Sequence, residues 1–195
     1  MQDRQEQASQ LERLRKLLSS QPPTPNDGVE AVVGMLLIEK THNDLEILLE
    51  QRAERTGDPW SGHIGLPGGR IKSSDKSPFD ACKREVMEEV GIDLSREGEL
   101  LGSLTPGFPW NRPELKVRPL IYRLHKQPIL RIGSEVVSAF WVALSELPGM
   151  RKQSDVSTRL GPRTVDSFYV DGRVVWGFTF SVLNELLSLK QESSR

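Results

Sequence analysis

Nothing in this 195-residue chain restricts its fold as much as the run Arg84-Glu85-Val86-Met87-Glu88-Glu89-Val90-Gly91-Ile92. As a helix it places Glu85, Glu88 and Glu89 at i, i+3 and i+4, so the three carboxylates share one stripe. Phe79, Cys82, Val86 and Val90 also recur at helical spacing, which predicts a core-facing surface and makes Cys82 a packing residue rather than a nucleophile. Pro78 and Gly91 frame the helix, the glycine being suited to a left-handed cap. Carboxylates so placed repel by roughly a few tenths of a kcal/mol per pair. Most such stripes are solvated helix faces. A divalent cation turns the repulsion into attraction, because hard ions such as Mg²⁺ take oxygen ligands and bridge carboxylates to phosphates.

Upstream lies Gly65-Leu66-Pro67-Gly68-Gly69-Arg70, a turn in which consecutive glycines let backbone approach a ligand closely. This loop–helix–loop resembles the signature of the Nudix hydrolases, G-x5-E-x7-R-E-U-x-E-E-x-G-U with U aliphatic. Gly69 opens it, and Arg84, Glu85, Val86, Glu88, Glu89, Gly91 and Ile92 fill its second half in register. Two departures stand out. The interval from Gly69 to Arg84 is one residue longer than the pattern, and Asp75 or Lys76 stands near the place of its lone upstream Glu.

The resemblance implies hydrolysis of a phosphoanhydride in a nucleoside diphosphate linked to a further moiety, with Mg²⁺ or Mn²⁺ as cofactor. A diphosphate repels a nucleophile, so cations must neutralise it. By the same resemblance Glu85, Glu88 and Glu89 are the expected metal ligands, joined by the backbone carbonyl of Gly68. Arg84 is expected to orient a glutamate. Glu135, six residues before Trp141, is expected to complete the metal site or activate water, with a solvated turn residue as the alternative. Glu114 is a second candidate for that part. Arg52, Arg55 and Arg70 are guanidinium forks that suit phosphate, Arg70 best because it follows the Gly69 turn. His63 is read either as a phosphate or acid–base group or as packing beside the glycines.

The implied fold is an α/β/α sandwich with a mixed β-sheet over roughly residues 29–189. Residues 1–28 read as an N-terminal helix, about 4–19 with Leu11, Leu14, Leu17 and Leu18 on one side, and a Pro-rich linker; residues 29–195 form the catalytic domain. The helix either packs on its own domain or bridges a homodimer. Strands are predicted at 29–38 and 45–51, with His42-Asn43-Asp44 as the turn, and at 100–104, 117–124, 136–142 and 167–170. A short helical turn begins at Ser145, and an amphipathic helix runs over 177–189.

A net charge of −1 argues against a nucleic-acid footprint, so an RNA 5′-pyrophosphohydrolase is disfavoured. The single cysteine suits a reducing compartment, and no apolar run approaches a membrane span; a cytoplasmic protein with a small-molecule nucleotide substrate is expected. A non-catalytic sensor on this fold is disfavoured because every glutamate of the second half is present.

For the substrate, Leu48-Leu49-x-x-Arg52-Ala53, Gly62 and Leu66-Pro67-Gly68-Gly69 resemble an element of the coenzyme A pyrophosphatase-like subgroup, although Asp58 stands where that element has Arg and Leu66 where it has Phe. Trp176-Gly177-Phe178-Thr179 resembles the Trp-Gly-x-Thr start of that subgroup's last helix. Coenzyme A or an acyl derivative is therefore the leading expectation, with a nucleoside diphosphate sugar or ADP-ribose next. Trp60, Phe108 and Trp110 are aromatics able to stack on a base or to pack.

Overall fold

The computed structural model describes residues 10–19, 28–41, 44–57, 60–158 and 161–192. The expected His42-Asn43 turn, Asp58, residues 4–9 and most of the Pro-rich linker lie outside these.

Strand β1 (Ala31–Thr41) is the axis of a seven-stranded mixed sheet. It is buried on both faces, which explains its nearly unbroken apolar run. It pairs in parallel with β6 (Val117–Leu124), which pairs antiparallel with β5 (Gly98–Ser103). On its other edge β1 exchanges partners along its length. Val32 and Val33 face Gly69 and Gly68 of β4 (Gly68–Arg70), whereas Leu37 and Ile38 face Ile47 and Glu46 of β2 (Asp44–Arg52). The Gly34 N–H donates to the Pro67 carbonyl (2.7 Å) where the partners change. β2 continues the sheet to β7 (Val136–Ala143) and to the two-residue β3 (Ile64–Gly65).

The pleat sends alternate residues of these strands to opposite layers. Val32, Leu36, Leu48, Leu120 and Tyr122 pack under α2 (Pro78–Val90) against Ala81, Cys82, Val86 and Val90. Met35, Leu37, Ile47, Leu49 and Ile121 face the other layer, which holds α1 (Gln10–Ser19) and α4 (Gly177–Glu192). Each such side chain, fully buried, contributes roughly 1.5–3 kcal/mol. Leu11, Leu14 and Leu18 of α1 are buried in this core, and Arg15 of α1 pairs with Glu99 of β5 (2.8 Å), so the helix packs on its own chain. A four-residue helix, α3 (Leu94–Glu97), joins α2 to β5.

The α/β/α layering is as expected, with one addition. β8 (Arg151–Thr158), β9 (Gly161–Val170) and β10 (Arg173–Trp176) form a separate antiparallel sheet in the order β10-β9-β8. Sequence periodicity predicts only 167–170 of it. The expected helical turn at Ser145 falls slightly later, as a 3₁₀ turn over Leu147–Met150. None of the described helices is long and apolar enough to cross a membrane.

Candidate active site

α2 is set by local signals. The Ser77 hydroxyl accepts from the Asp80 N–H (3.2 Å) and donates to the Asp80 carboxylate (2.8 Å), Pro78 starts the first turn, and Gly91 closes the last with φ 71°. The glycine turn lies against the helix flank. A Cβ on Gly68 would fall 2.2 Å from the Val32 carbonyl oxygen, and one on Gly69 would fall 2.8 Å from the Glu85 carboxyl carbon. Only a side-chain-free pair allows strand, turn and carboxylate to come this close.

Arg84 organises the first part of the stripe. Its guanidinium donates to both Asp75 carboxylate oxygens (2.9 and 2.8 Å), to Glu85 (2.5 Å) and to Glu88 (3.2 Å). Hydrogen bonding from Arg84 holds the Asp75 carboxyl down at about 2. Asp75, near the place of the missing upstream Glu, thus braces the arginine that braces Glu85. Lys76 is exposed beside it.

Glu89 is placed differently. It is 2% exposed; one carboxylate oxygen accepts from the Gly68 N–H (2.7 Å) and the other faces Arg52 at 3.4 Å. Glu50 of β2, which the sequence reading passed over, is wholly buried nearby. Burial first, and then neighbouring carboxylates, push both acids well above the usual carboxylate range; Arg52 opposes this for both.

Glu85, Glu89, Glu135, Arg52, Arg70 and Lys72 line a cavity of about 430 Å³, with Glu50, Asp75 and Arg84 set back from its walls. Gly68, Gly69, His63, Trp60, Trp110, Trp176 and Thr179 also line it. The His63 ring lies 4.9 Å from that of Trp176, so it packs on the wall it helps to form. Arg163 lies 4.5 Å over the Trp110 ring. Glu135 is half-exposed and paired with Arg55 (3.0 Å). Its segment is fastened to α2 and β2: the Arg131 and Gly133 N–H groups donate to the Val90 and Glu89 carbonyls (3.0 and 2.8 Å), and the Glu135 carbonyl accepts from the Ala53 N–H (2.9 Å).

Besides Arg84 and Arg55, three further expected residues stand apart from the cavity. Glu88 is exposed, bonded to Arg84 and 3.8 Å from Lys72. Glu114 is exposed beside Arg112 (3.3 Å), and Phe108 is exposed. Arg70 lines the cavity yet also approaches Glu30 (3.7 Å). Lys72 and Glu50 are the site residues that sequence reasoning missed. For Glu50, sharing a strand face with Arg52 was the available signal.

Among the described residues no three His, Cys, Asp or Glu side chains already form a metal cage; Glu85 is bonded to Arg84 and Glu89 to the Gly68 N–H. The donor set nevertheless fits a hard divalent ion: it is all oxygen, and both oxygens of buried Glu50 lack a hydrogen-bond partner.

The α/β/α sandwich thus sets a glycine turn against an acidic helix, beside a cavity with acidic, cationic and aromatic walls. Residues 29–160 match the NUDIX domain model, and the chain belongs to that family. It is 30% identical over 145 residues to the uncharacterized Nudix hydrolase NudL of Photorhabdus laumondii, covering 71% of this chain and 74% of that protein. An uncharacterized protein of Schizosaccharomyces pombe is 41% identical over 107 residues, which are 52% of this chain; the match spans only 32% of the yeast protein. The NUDIX domain of Shewanella oneidensis NrtR, solved with ADP-ribose, shares the fold with a TM-score of 0.52 and 18% identity, covering 87% of this chain and 90% of that one.

Proposed function

We propose that this protein hydrolyses a phosphoanhydride bond in a nucleoside-diphosphate-linked small molecule with Mg²⁺ or Mn²⁺, and that coenzyme A or an acyl-coenzyme A is the substrate. The observation that carries the reading is convergence. Glu85 and Glu89, Arg52, the Gly68-Gly69 turn and the Trp176-Gly177-x-Thr179 segment come from separate stretches of sequence and line one cavity.

A bound divalent ion would neutralise the diphosphate and polarise the phosphorus under attack. Glu85 and Glu89 would hold it, with the Gly68 carbonyl; Glu88 would enter only by leaving Arg84. Arg52, Arg70 and Lys72 offset the phosphate charge from the cavity wall. Glu135 accepts the proton of the attacking water as the new P–O bond forms and the anhydride P–O bond breaks. Trp60 and Trp110 offer faces to a base. Cytoplasmic residence and a homodimer belong to the same reading; a sequence with a single cysteine suits the former.

The test is turnover with Mg²⁺ or Mn²⁺ of coenzyme A, acetyl-coenzyme A, ADP-ribose, GDP-mannose and triphosphorylated RNA. The expected result is highest kcat/KM on a coenzyme A compound. Preference for ADP-ribose, the ligand of the NrtR domain, would replace the substrate while keeping the reaction. No metal-dependent product from any of the five would overturn the reading.

A further inference from the structure

Glu50 sits mid-strand in β2 between Gly65 of β3 and Ala139 of β7. Its side chain is 0% exposed, and neither carboxylate oxygen has a hydrogen-bond partner. This is rare: nearly all buried polar groups are bonded, and a buried charge without compensation costs several kcal/mol. An apolar residue such as Leu would suit the position better if packing were its only task.

The surroundings show where this carboxylate points. Leu48 and Arg52 share its strand face; Leu48 packs under α2 and Arg52 reaches Glu89. The charges that act on Glu50 are those of Arg52, Glu135 and Glu85, and Glu50 is itself the carboxylate that acts most strongly on Glu89. The sheet therefore contributes a fourth acid to a site otherwise supplied by α2 and the Glu135 segment. Arg52 pairs with Glu89, as Arg84 does with Glu85 and Arg55 with Glu135.

We propose that Glu50 is a divalent-cation ligand, binding from the sheet the ion that Glu85 and Glu89 bind from the helix. The inference rests on the reading of Glu85 and Glu89 given above. An all-oxygen set with one fully dehydrated carboxylate suits Mg²⁺ or Mn²⁺, and the ion supplies the partner that both orphaned oxygens lack. Glu50 lies outside the glycine-turn and helix pattern, so its part comes from the strand register alone.

The test is Mn²⁺ binding to the full chain without substrate, followed by the electron-paramagnetic signal of free Mn²⁺ and by the shift in Tm on adding the ion. Glu50→Gln keeps the shape and removes the ligand charge. It is expected to weaken Mn²⁺ affinity at least ~10-fold and to shrink the Mn²⁺-induced rise in Tm, while the metal-free protein stays folded. Glu85→Gln is the control for the helix reading. Unchanged affinity in Glu50→Gln with loss in Glu85→Gln overturns the role of Glu50 alone; unchanged affinity in both overturns the helix site as well. Glu50→Asp, which keeps the charge but shortens its reach by one methylene, provides a second variant. Weaker binding there supports the role, and wild-type binding overturns it.

Discussion

At the Arg84 end of the acidic helix every carboxylate is answered: Asp75, Glu85 and Glu88 all meet one guanidinium, at 2.5–3.2 Å. At the Glu89 end Glu89 meets Arg52 at a looser 3.4 Å, and the carboxylate of the buried Glu50 has no hydrogen-bond partner. The sequence spacing treats Glu85, Glu88 and Glu89 alike; the surroundings do not. Short, bidentate contacts make the first end a brace, whereas burial at the second end disfavours the charged carboxylates until a cation compensates them.

Substitutions can break or sharpen this contrast. The largest effect is expected at the loose end, where Glu89→Gln lowers kcat about 1,000-fold, near 4 kcal/mol of transition-state stabilisation. Circular dichroism should be unchanged, since the amide oxygen still accepts from Gly68; wild-type kcat would remove Glu89 from the machinery. Next comes the turn that joins the two ends. Gly68→Ala drives a methyl into the Val32 carbonyl and is expected to cost about 3 kcal/mol in urea unfolding.

At the braced end, Arg84→Lys loses the planar fork and about 2 kcal/mol of stability, with a smaller fall in kcat than Glu89→Gln causes. The same brace has a pH signature. The Asp75 carboxyl is depressed to about 2, so its stabilisation is complete above its ordinary range and is lost as pH falls toward 2. The Tm gap between wild type and Asp75→Asn should accordingly be constant above about pH 5 and close near about pH 2. A gap that stays open at low pH would mean that Asp75 acts by packing. The smallest effect is at the helix start, where Ser77→Ala should cost about 1 kcal/mol with kcat unaltered.

Much of this is legible in the amino-acid sequence. Helix α2 declares itself through Pro78, Gly91 and apolar residues at 3.6 spacing, and the two-faced burial of β1 follows from its continuous apolar run. The second sheet was not readable, because β8 is Arg151-Lys152-Gln153-Ser154-Asp155-Val156-Ser157-Thr158 and buries only Ser154. Without an apolar alternation there is no periodic signal, and its strand character comes from pairing with β9. Glu50 was missed for a related reason. One acid within Leu48-Leu49-Glu50-Gln51-Arg52 looks like the polar end of a strand, and its burial depends on β3 and β7 closing on either side. Glu88 shows the opposite limit. Its spacing matches its neighbours, yet the helix turns it outward to solvent beside Lys72.

The hydrogen bonds that tie residues 131–135 to the ends of α2 and β2 are all main-chain to main-chain. The distance between Glu135 and Glu89 is therefore governed by the number of residues in that segment more than by their identity. Such a strap tolerates changes of side chain and resists changes of length. A single inserted residue between Gly133 and Glu135 should carry Glu135 away from the cavity while leaving α2 and both cores in place.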